Sequence, residues 1–247
     1  KGQAKFLIAY FYWYMLRMYG PIPIIPDNGI MDYTKEYEDL ALPRSTYDEC
    51  VAYIENKLIE AAKTLPLTRP AEEIARPTRG AALGLRAKLL LYAASPLMNG
   101  KAPKEYSSEM VDNTGKHLLP DNYDEKKWAK AAAAARDVME MNRYSLYVAY
   151  TRTKSSDEYA YPITITPPYD AEFSDKDWPN GWKNIDPFES YRSIFDGEVP
   201  GNENPEIIFT HGQNQGGEDI TVMVMHQLPL VEAHGYNSHC MTLKQMD

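Results

Sequence analysis

The sequence predicts a mainly α fold, built from tetratricopeptide-like helix pairs and followed by a loop-rich, minor-β part. Three observations predict it. Four segments in the first 145 residues carry apolar residues at steps of three and four, as one buried helix face requires. Small residues and closing prolines accompany these segments, as in closely packed helical hairpins. After Tyr144 the helical periodicity vanishes, and Pro, Gly, Asn, Asp and aromatic residues dominate.

The first two predicted helices have clear ends. The first runs from about Gly2 to Tyr19 and ends at Gly20 and Pro21, because glycine accepts the last turn and proline cannot continue it. The second runs from about Thr46 to Leu65, and Thr46 with Glu49 forms a capping-box pattern. The residues at helical steps in the first helix are Phe6, Ala9, Tyr10, Trp13, Leu16 and Arg17. The apolar stripe of the second helix comprises Tyr47, Val51, Ile54, Leu58, Ala61 and Leu65.

The third predicted helix runs from Thr78 to Ala94 and the fourth from about Glu125 to Met141. Ser95-Pro96 ends the third, because proline denies helical geometry to the preceding residue. Their apolar faces comprise Ala82, Leu85, Leu89 and Tyr92 in the third and Trp128, Ala132, Ala135, Val138 and Met139 in the fourth. The helices are expected to pack as two antiparallel pairs, although their spacing exceeds the regular tetratricopeptide period of about 34 residues. Core packing is expected for the aromatic residues at helical spacing, namely Tyr10, Phe11, Trp13, Tyr47 and Trp128.

The loss of helical periodicity after Tyr144 divides the chain into a helical scaffold, residues 1–145, and a loop-rich ligand-binding part of the same domain, residues 146–247. Two short strands are expected in the second part, at Pro205 to Thr210 and Ile220 to Met225. The predicted loops Gly100 to Tyr123 and Thr151 to Pro187 are longer than about 12–15 residues, a length typical of functional loops.

Composition excludes several classes of protein. The net charge of −9 and the lack of a basic run argue against a nucleic-acid partner. The two cysteines, Cys50 and Cys240, are too far apart in sequence for a disulfide framework or a zinc motif, and Cys50 is expected to be buried. No apolar run reaches the length of a membrane span. Because Lys1 opens directly onto a helical pattern and Asp247 ends in mid-pattern, we interpret the chain as an internal piece of a longer protein.

Five segments carry a family resemblance, in family order. The best match is RPTRGAALGLRAKLLLYAASPLMNG, Arg76 to Gly100. The others are Gly2 to Ile25, Arg44 to Pro66, Glu189 to Phe209 and Met241 to Asp247. Together they resemble the SusD/RagB family, glycan-capturing lipoproteins on the surface of Bacteroidetes. The chain departs from the family pattern at Gln3 and Ile8, where Glu and Arg are usual, and in the last segment, which lacks the usual proline and glutamine.

The resemblance implies a helical scaffold of tetratricopeptide-like pairs with a ligand-binding part rich in loops. It also implies a lipid-anchored protein of the outer membrane that binds an oligosaccharide or polysaccharide and lies over a SusC-like TonB-dependent transporter. Membrane attachment would be through an N-terminal lipid anchor outside this piece, and no cofactor or metal is implied.

Candidate sugar-binding residues lie in the aperiodic loops. Sugars stack on flat aromatic faces, and planar polar groups bond their hydroxyls. In WPNGW, Trp178 and Trp182 flank a turn that contains Asn180. The candidate ligand-binding residues are Trp178, Trp182, Asn180, Tyr169, Tyr236 and Asn237. The alternative for the two indoles is that they anchor the loop onto the helices.

Catalytic and metal sites are not predicted. The chain has no Gly-x-Ser-x-Gly, P-loop or His-Glu-x-x-His motif. His226, His234 and His239 lie close together beside Cys240, but their spacing fits no zinc signature. Two further hypotheses stay open: a glycoside hydrolase with a carboxylate pair in the loops, and a helical-repeat adaptor that binds only protein. Asn99 is expected to bond backbone after the Ser95-Pro96 turn, so that its loss costs about 1–2 kcal/mol.

Overall fold

A computed structural model of the chain describes residues 1–27, 34–36, 41–153, 168–195, 198–210 and 234. Six α-helices lie in these ranges: α1 Gly2–Tyr19, α2 Tyr47–Ala62, α3 Arg79–Ala94, α4 Lys104–Glu109, α5 Lys126–Met139 and α6 Pro187–Arg192. By its internal contacts the chain divides into two units, Lys1–Phe209 and Thr210–Asp247. Across the described ranges, no helix combines the length and the apolar character needed to cross a membrane.

The four predicted helices are confirmed as α1, α2, α3 and α5, each within three residues at either end. The capping box of α2 forms as expected: the Glu49 amide donates to Thr46 Oγ1 over 3.2 Å, and the Thr46 amide donates to Glu49 Oε2 over 2.7 Å. Thr78 caps α3 by accepting from the Ala81 amide. Gly20 ends α1 with φ of 69°, a conformation that glycine adopts at little cost.

The helices α1 and α2 pack antiparallel. Lys5 near the start of α1 forms an ion pair of 2.6 Å with Glu60 near the end of α2. At the opposite end, the buried Cys50 thiol donates to the Ile22 carbonyl, and burial raises the pKa of this thiol. The first predicted pair is thereby confirmed, as is the buried position of Cys50.

The helices α2, α3 and α5 continue the same antiparallel stack. Arg86 in the middle of α3 reaches both neighbours, with 3.1 Å from Nε to Glu55 of α2 and 2.7 Å from Nη1 to Asp137 near the end of α5. The end of α3 meets the start of α5 through Asn99 and Asp124. The order of packing is therefore α1, α2, α3, α5, and we call these four helices the helical stack.

Buried Asn99 holds the α3–α5 connection together, as predicted. Its Nδ2 donates to the Asp124 carbonyl over 2.8 Å, and its Oδ1 accepts from the Asp124 amide over 3.0 Å. Nδ2 also donates to the Ala94 carbonyl over 3.4 Å. Because the side chain is fully buried, it replaces the water that these backbone groups would otherwise bond.

The apolar stripe of α2 is buried as predicted, and so are Trp13 and Tyr47. Two of the expected core aromatics are not: Phe11 is 60% exposed and Trp128 is 39% exposed. The predicted face of α5 is wrong by one position, because Ala131 and Ala134 are its buried residues. A run of alanines offers a small side chain on every face, so the rotation of α5 is set by its close approach to α3 rather than by its own pattern.

The strand expected at Pro205 to Thr210 is wrong, because these residues form turns and irregular backbone. Proline has no N–H for a ladder, and the Glu206 amide donates to Asn204 Oδ1 instead. The Glu206 carboxylate accepts from the Tyr147 amide, and Phe209 packs edge-on against Phe6 of α1. In the described ranges β pairing is limited to two isolated bridges, Val111 with His117 and Tyr150 with Ile185. The other expected strand, residues 220–225, lies outside these ranges.

Candidate functional site

Residues 168–186, which we call the aromatic loop, hold their shape through short-range hydrogen bonds. The first turn closes on Asp170 and Ser174: the Asp170 amide donates to Ser174 Oγ, and the Ser174 amide donates to the Asp170 carbonyl, both over 2.7 Å. Asp170 Oδ1 accepts from the Glu172 amide. Asp and Ser side chains form such local bonds readily, which explains an ordered turn without periodicity.

The WPNGW turn is bound into this loop at both ends. The Trp178 amide donates to Asn184 Oδ1 over 2.8 Å, and the Trp182 amide donates to the Phe173 carbonyl over 3.1 Å. The peptide bond between Trp178 and Pro179 is cis. Gly181 is buried so closely that a Cβ atom there would lie 2.1 Å from the Phe173 carbonyl oxygen. The two indoles therefore project from a backbone whose course is fixed on both sides.

The C-terminal end of the aromatic loop is hydrogen-bonded to the segment that follows α5. The Thr151 amide donates to the Asn184 carbonyl over 3.0 Å, and the Asp186 amide donates to the Ala149 carbonyl over 2.8 Å. Asp186 then caps α6 by accepting from the Glu189 amide. The loop is thus attached to the rest of its unit by paired backbone, not by its side chains alone.

The predicted site residues divide by their place in the loop. Trp178, Asn180 and Trp182 are brought together in one turn, where the indoles are half-buried and Asn180 is exposed. Tyr169 is 72% exposed, and its hydroxyl donates to Asp175 over 2.9 Å, which raises the pKa of Tyr169. The predicted residues Tyr236 and Asn237 lie outside the described residues, as do the histidines at 226 and 239. A half-buried indole has a surface for the loop and a surface for a ligand, so its burial is compatible with anchoring and with binding.

Several residues at this surface were not found from the sequence. Asn184 has no pattern that marks it as the partner of Trp178. Exposed rings lie in the loop and in the segments bonded to it or following it: Phe173 is 49% exposed, Tyr150 is 63% exposed, and Tyr191 and Phe195 are about 70% exposed with ring centroids 5.0 Å apart. The spacing of Tyr191 and Phe195, four residues apart, is the one signal that could have found them.

A polar cavity of about 200 Å³ lies between residues 147–152 and α6. Carboxylates line it, and two of them, Glu189 and Glu198, each accept from Arg192 Nη2 over 2.9 Å. The third carboxylate, Asp186, is the cap of α6. Each of these groups has an observed structural partner. In the part of the chain that the structure describes, no group of three or more His, Cys, Asp or Glu side chains is placed to hold a metal ion.

Comparison with known proteins agrees with this architecture. Residues 1–91 match the SusD-like family model described as "Starch-binding associating with outer membrane". A solved structure named BT4246 is 35% identical to this chain, with a TM-score of 0.51, and the match covers 59% of this chain and 25% of that one. Over these residues, the chain resembles SusD-like proteins. The resemblance inferred from its motifs, and the mainly α fold, are confirmed.

A SusD-like protein from Bacteroides fragilis, BF3747, extends the likeness of fold over more of the chain. It covers 87% of this chain and 27% of its own length at 20% identity, with a TM-score of 0.50. The chain therefore spans about a quarter of the length of these solved structures. No curated protein matches it.

Proposed function

We propose that this SusD-like chain is part of a protein that binds glycans at the cell surface and delivers them to a TonB-dependent transporter of the outer membrane. The observation that carries the proposal is the match of residues 1–91 to a family described as starch-binding and associated with the outer membrane. Those residues form α1, α2 and most of α3.

The proposed sugar-binding surface is the aromatic loop. Trp178 and Trp182 offer partly exposed indole faces, which suit the C–H-rich face of a pyranose. Exposed Asn180 lies between them in the turn, with an amide that both donates to and accepts from sugar hydroxyls. Tyr169, Tyr236 and Asn237 complete the proposed residue set. Because the loop backbone is already ordered by its own hydrogen bonds, binding orders few additional groups, which favours affinity.

The proposal places the protein on the outer membrane, held by a lipid anchor. Its partners are the glycan and a SusC-like transporter. The family description supports the membrane association, and the transporter follows from the role that SusD/RagB proteins have.

The bonding of the carboxylates in the polar cavity favours a protein that binds glycans without cleaving them. A retaining glycosidase needs two carboxyl groups about 5–5.5 Å apart, one of them able to give a proton. In the polar cavity, Glu189 and Glu198 converge on the Arg192 guanidinium, and Asp186 accepts from a backbone amide. These partners occupy the carboxylates in structural roles.

A glycan panel tests the function directly. The protein is incubated with immobilised and soluble polysaccharides, and both retention and released products are measured. The expected result is retention of at least one glycan with no shortening of it. Release of shorter products would replace the proposal with the hydrolase alternative. Retention of none, with selective capture of a protein partner, would replace it with the adaptor alternative.

A further inference from the structure

A cavity of about 300 Å³ lies outside the aromatic loop, between three segments of the Lys1–Phe209 unit. The segment after α2, the turn after α5 and residues 201–208 enclose it. Its polar lining includes Arg69, Arg143, Tyr144, Asn202 and Asn204. We call this cavity the arginine pocket. Its volume lies at the lower end of the range for small-molecule sites, roughly 300–1,000 Å³.

Among the residues that line the arginine pocket, the charged side chains are both positive. Arg69 Nη1 lies 3.1 Å from Glu73 Oε2, and Arg76 shares the same carboxylate at 3.4 Å. Arg143 is exposed and makes no ion pair or hydrogen bond with any residue that the structure describes. The residues that line the pocket include two arginines and no carboxylate, in a chain whose net charge is −9.

One further feature favours a negative ligand. The N-terminal end of α3, marked by its cap Thr78, lines the same pocket and has no acidic residue in its first turn. The helix dipole adds positive potential at that end.

We propose that the arginine pocket binds the carboxylate of an acidic sugar residue, a uronate. This inference rests on the proposed glycan-binding function and names a substrate class for it. A planar guanidinium bonds a carboxylate through two parallel N–H groups, which a neutral sugar cannot match. The amides of Asn202 and Asn204 and the Tyr144 hydroxyl then suit the ring hydroxyls, and Ile207 and Ile208 supply an apolar wall.

The test compares galacturonate with galactose, which differ in the carboxylate at C6. Each is titrated by NMR into the parent chain and into Arg143→Gln. Arg136→Gln is the matched control, because Arg136 is a surface residue of α5 paired with Glu140, away from the pocket lining. The parent is expected to bind galacturonate more tightly than galactose, and Arg143→Gln to weaken galacturonate by about tenfold or more while leaving galactose unchanged. Arg136→Gln is expected to match the parent.

The outcomes separate this proposal from the function on which it rests. The proposed uronate site is contradicted if the parent binds the two sugars equally, or if Arg143→Gln keeps full affinity for galacturonate, whatever the glycan panel shows. Retention of neutral glycans alone overturns the pocket and leaves the proposed function standing. If the panel retains nothing, the proposed function fails, and the galacturonate titration still decides whether the pocket takes a carboxylate. Melting temperatures confirm folding, and no shift is expected for Arg143→Gln because its side chain is exposed.

Discussion

The helical stack and the aromatic loop keep their shapes by different physical means. The stack buries continuous apolar stripes, and Phe6, Trp13, Ile54, Leu58 and Leu89 have almost no exposed surface. The aromatic loop has two half-buried indoles and is shaped mainly by hydrogen bonds between residues fewer than ten positions apart. Burial makes the unfolding of the stack cooperative, so that a destabilising substitution in one helix lowers the stability of all four. Local bonding makes the loop separable, so that it can change without unfolding the stack.

Gly100→Ala is expected to destabilise the helical stack, with the largest loss of unfolding free energy among the variants considered. Gly100 has φ of 68°, and a Cβ there would lie 2.1 Å from the Asn122 carbonyl carbon. Because the obstacle is backbone, we expect a loss of more than about 4 kcal/mol in the free energy of unfolding, measured with urea. Gly115→Ala is the control, since Gly115 has φ of 82° with nothing within 4 Å of the added atom. It should cost only about 1–2 kcal/mol, and equal losses at the two positions would contradict the steric explanation.

Asn99→Ala tests the connection within the stack. The alanine leaves the amide and carbonyl of Asp124 without their side-chain partner, which is itself fully buried. We expect the free energy of unfolding to fall by about 2 kcal/mol. Asn180→Ala, in the exposed turn of the aromatic loop, should leave it unchanged within about 0.5 kcal/mol. Similar losses for both variants would show that the two regions do not differ as described.

Thr46→Ala tests the start of α2 and should cost about 1 kcal/mol, because it removes the N-cap. The capping box also makes stability depend on pH. The pKa of Glu49 lies below its usual value of 4.5, first because the Thr46 amide bonds the carboxylate and second because Lys116 does. The unfolded chain therefore takes up the proton first, so this contribution is present above pH 4.5 and is lost as the pH falls through the lowered native pKa.

The pH dependence is measured by urea unfolding of the parent and of Glu49→Gln, which cannot ionise, at pH 6 and at a series of values below 4.5. The difference between the two proteins should shrink as the pH falls. A difference that stays constant across the series would show that folding does not lower the pKa of the Glu49 carboxylate.

Gly181→Ala should change the aromatic loop and spare the stack. The added Cβ would lie 2.1 Å from the Phe173 carbonyl oxygen and 2.4 Å from the Lys176 carbonyl oxygen. We expect faster proteolysis within residues 168–186 and a change of less than about 1 kcal/mol in global unfolding. Gly201→Ala is the control, because its nearest contact would be an ordinary 3.7 Å. Global unfolding at much lower denaturant for Gly181→Ala would show that the loop is part of the stack.

The same contrast explains what the sequence could predict. Periodicity and caps located α1, α2, α3 and α5, because those signals are local and repeat along the chain. The rotation of α5 was missed, because its alanine run has no preferred face and only the contact with α3 chooses Ala131 and Ala134. The strand predicted at residues 205–210 does not form, because side-chain bonds of Asn204 and Glu206 replace a ladder.

In the aromatic loop, the turn around Asn180 could be predicted from the sequence. The hydrogen bond and the packing contact that hold this turn could not. A Pro-Asn-Gly sequence indicates a turn by itself. The bond between Asn184 and the Trp178 amide, and the contact of Gly181 with the Phe173 carbonyl, join residues whose spacing follows no rule. The arginine pocket was missed for a similar reason, because Arg69 and Arg143 are far apart in sequence and only the fold brings them to one cavity.

The most direct test of the account is the Trp178→Ala/Trp182→Ala double variant, titrated by calorimetry with a glycan that the panel retains. Each indole should contribute on the order of 1 kcal/mol, so the pair should weaken binding by tenfold or more with little change in melting temperature. Trp128→Ala is the matched control, because this indole lies on α5 and should leave binding unchanged. A double variant that folds and binds its glycan as tightly as the parent would contradict the account, and the two indoles would then be anchors of the loop.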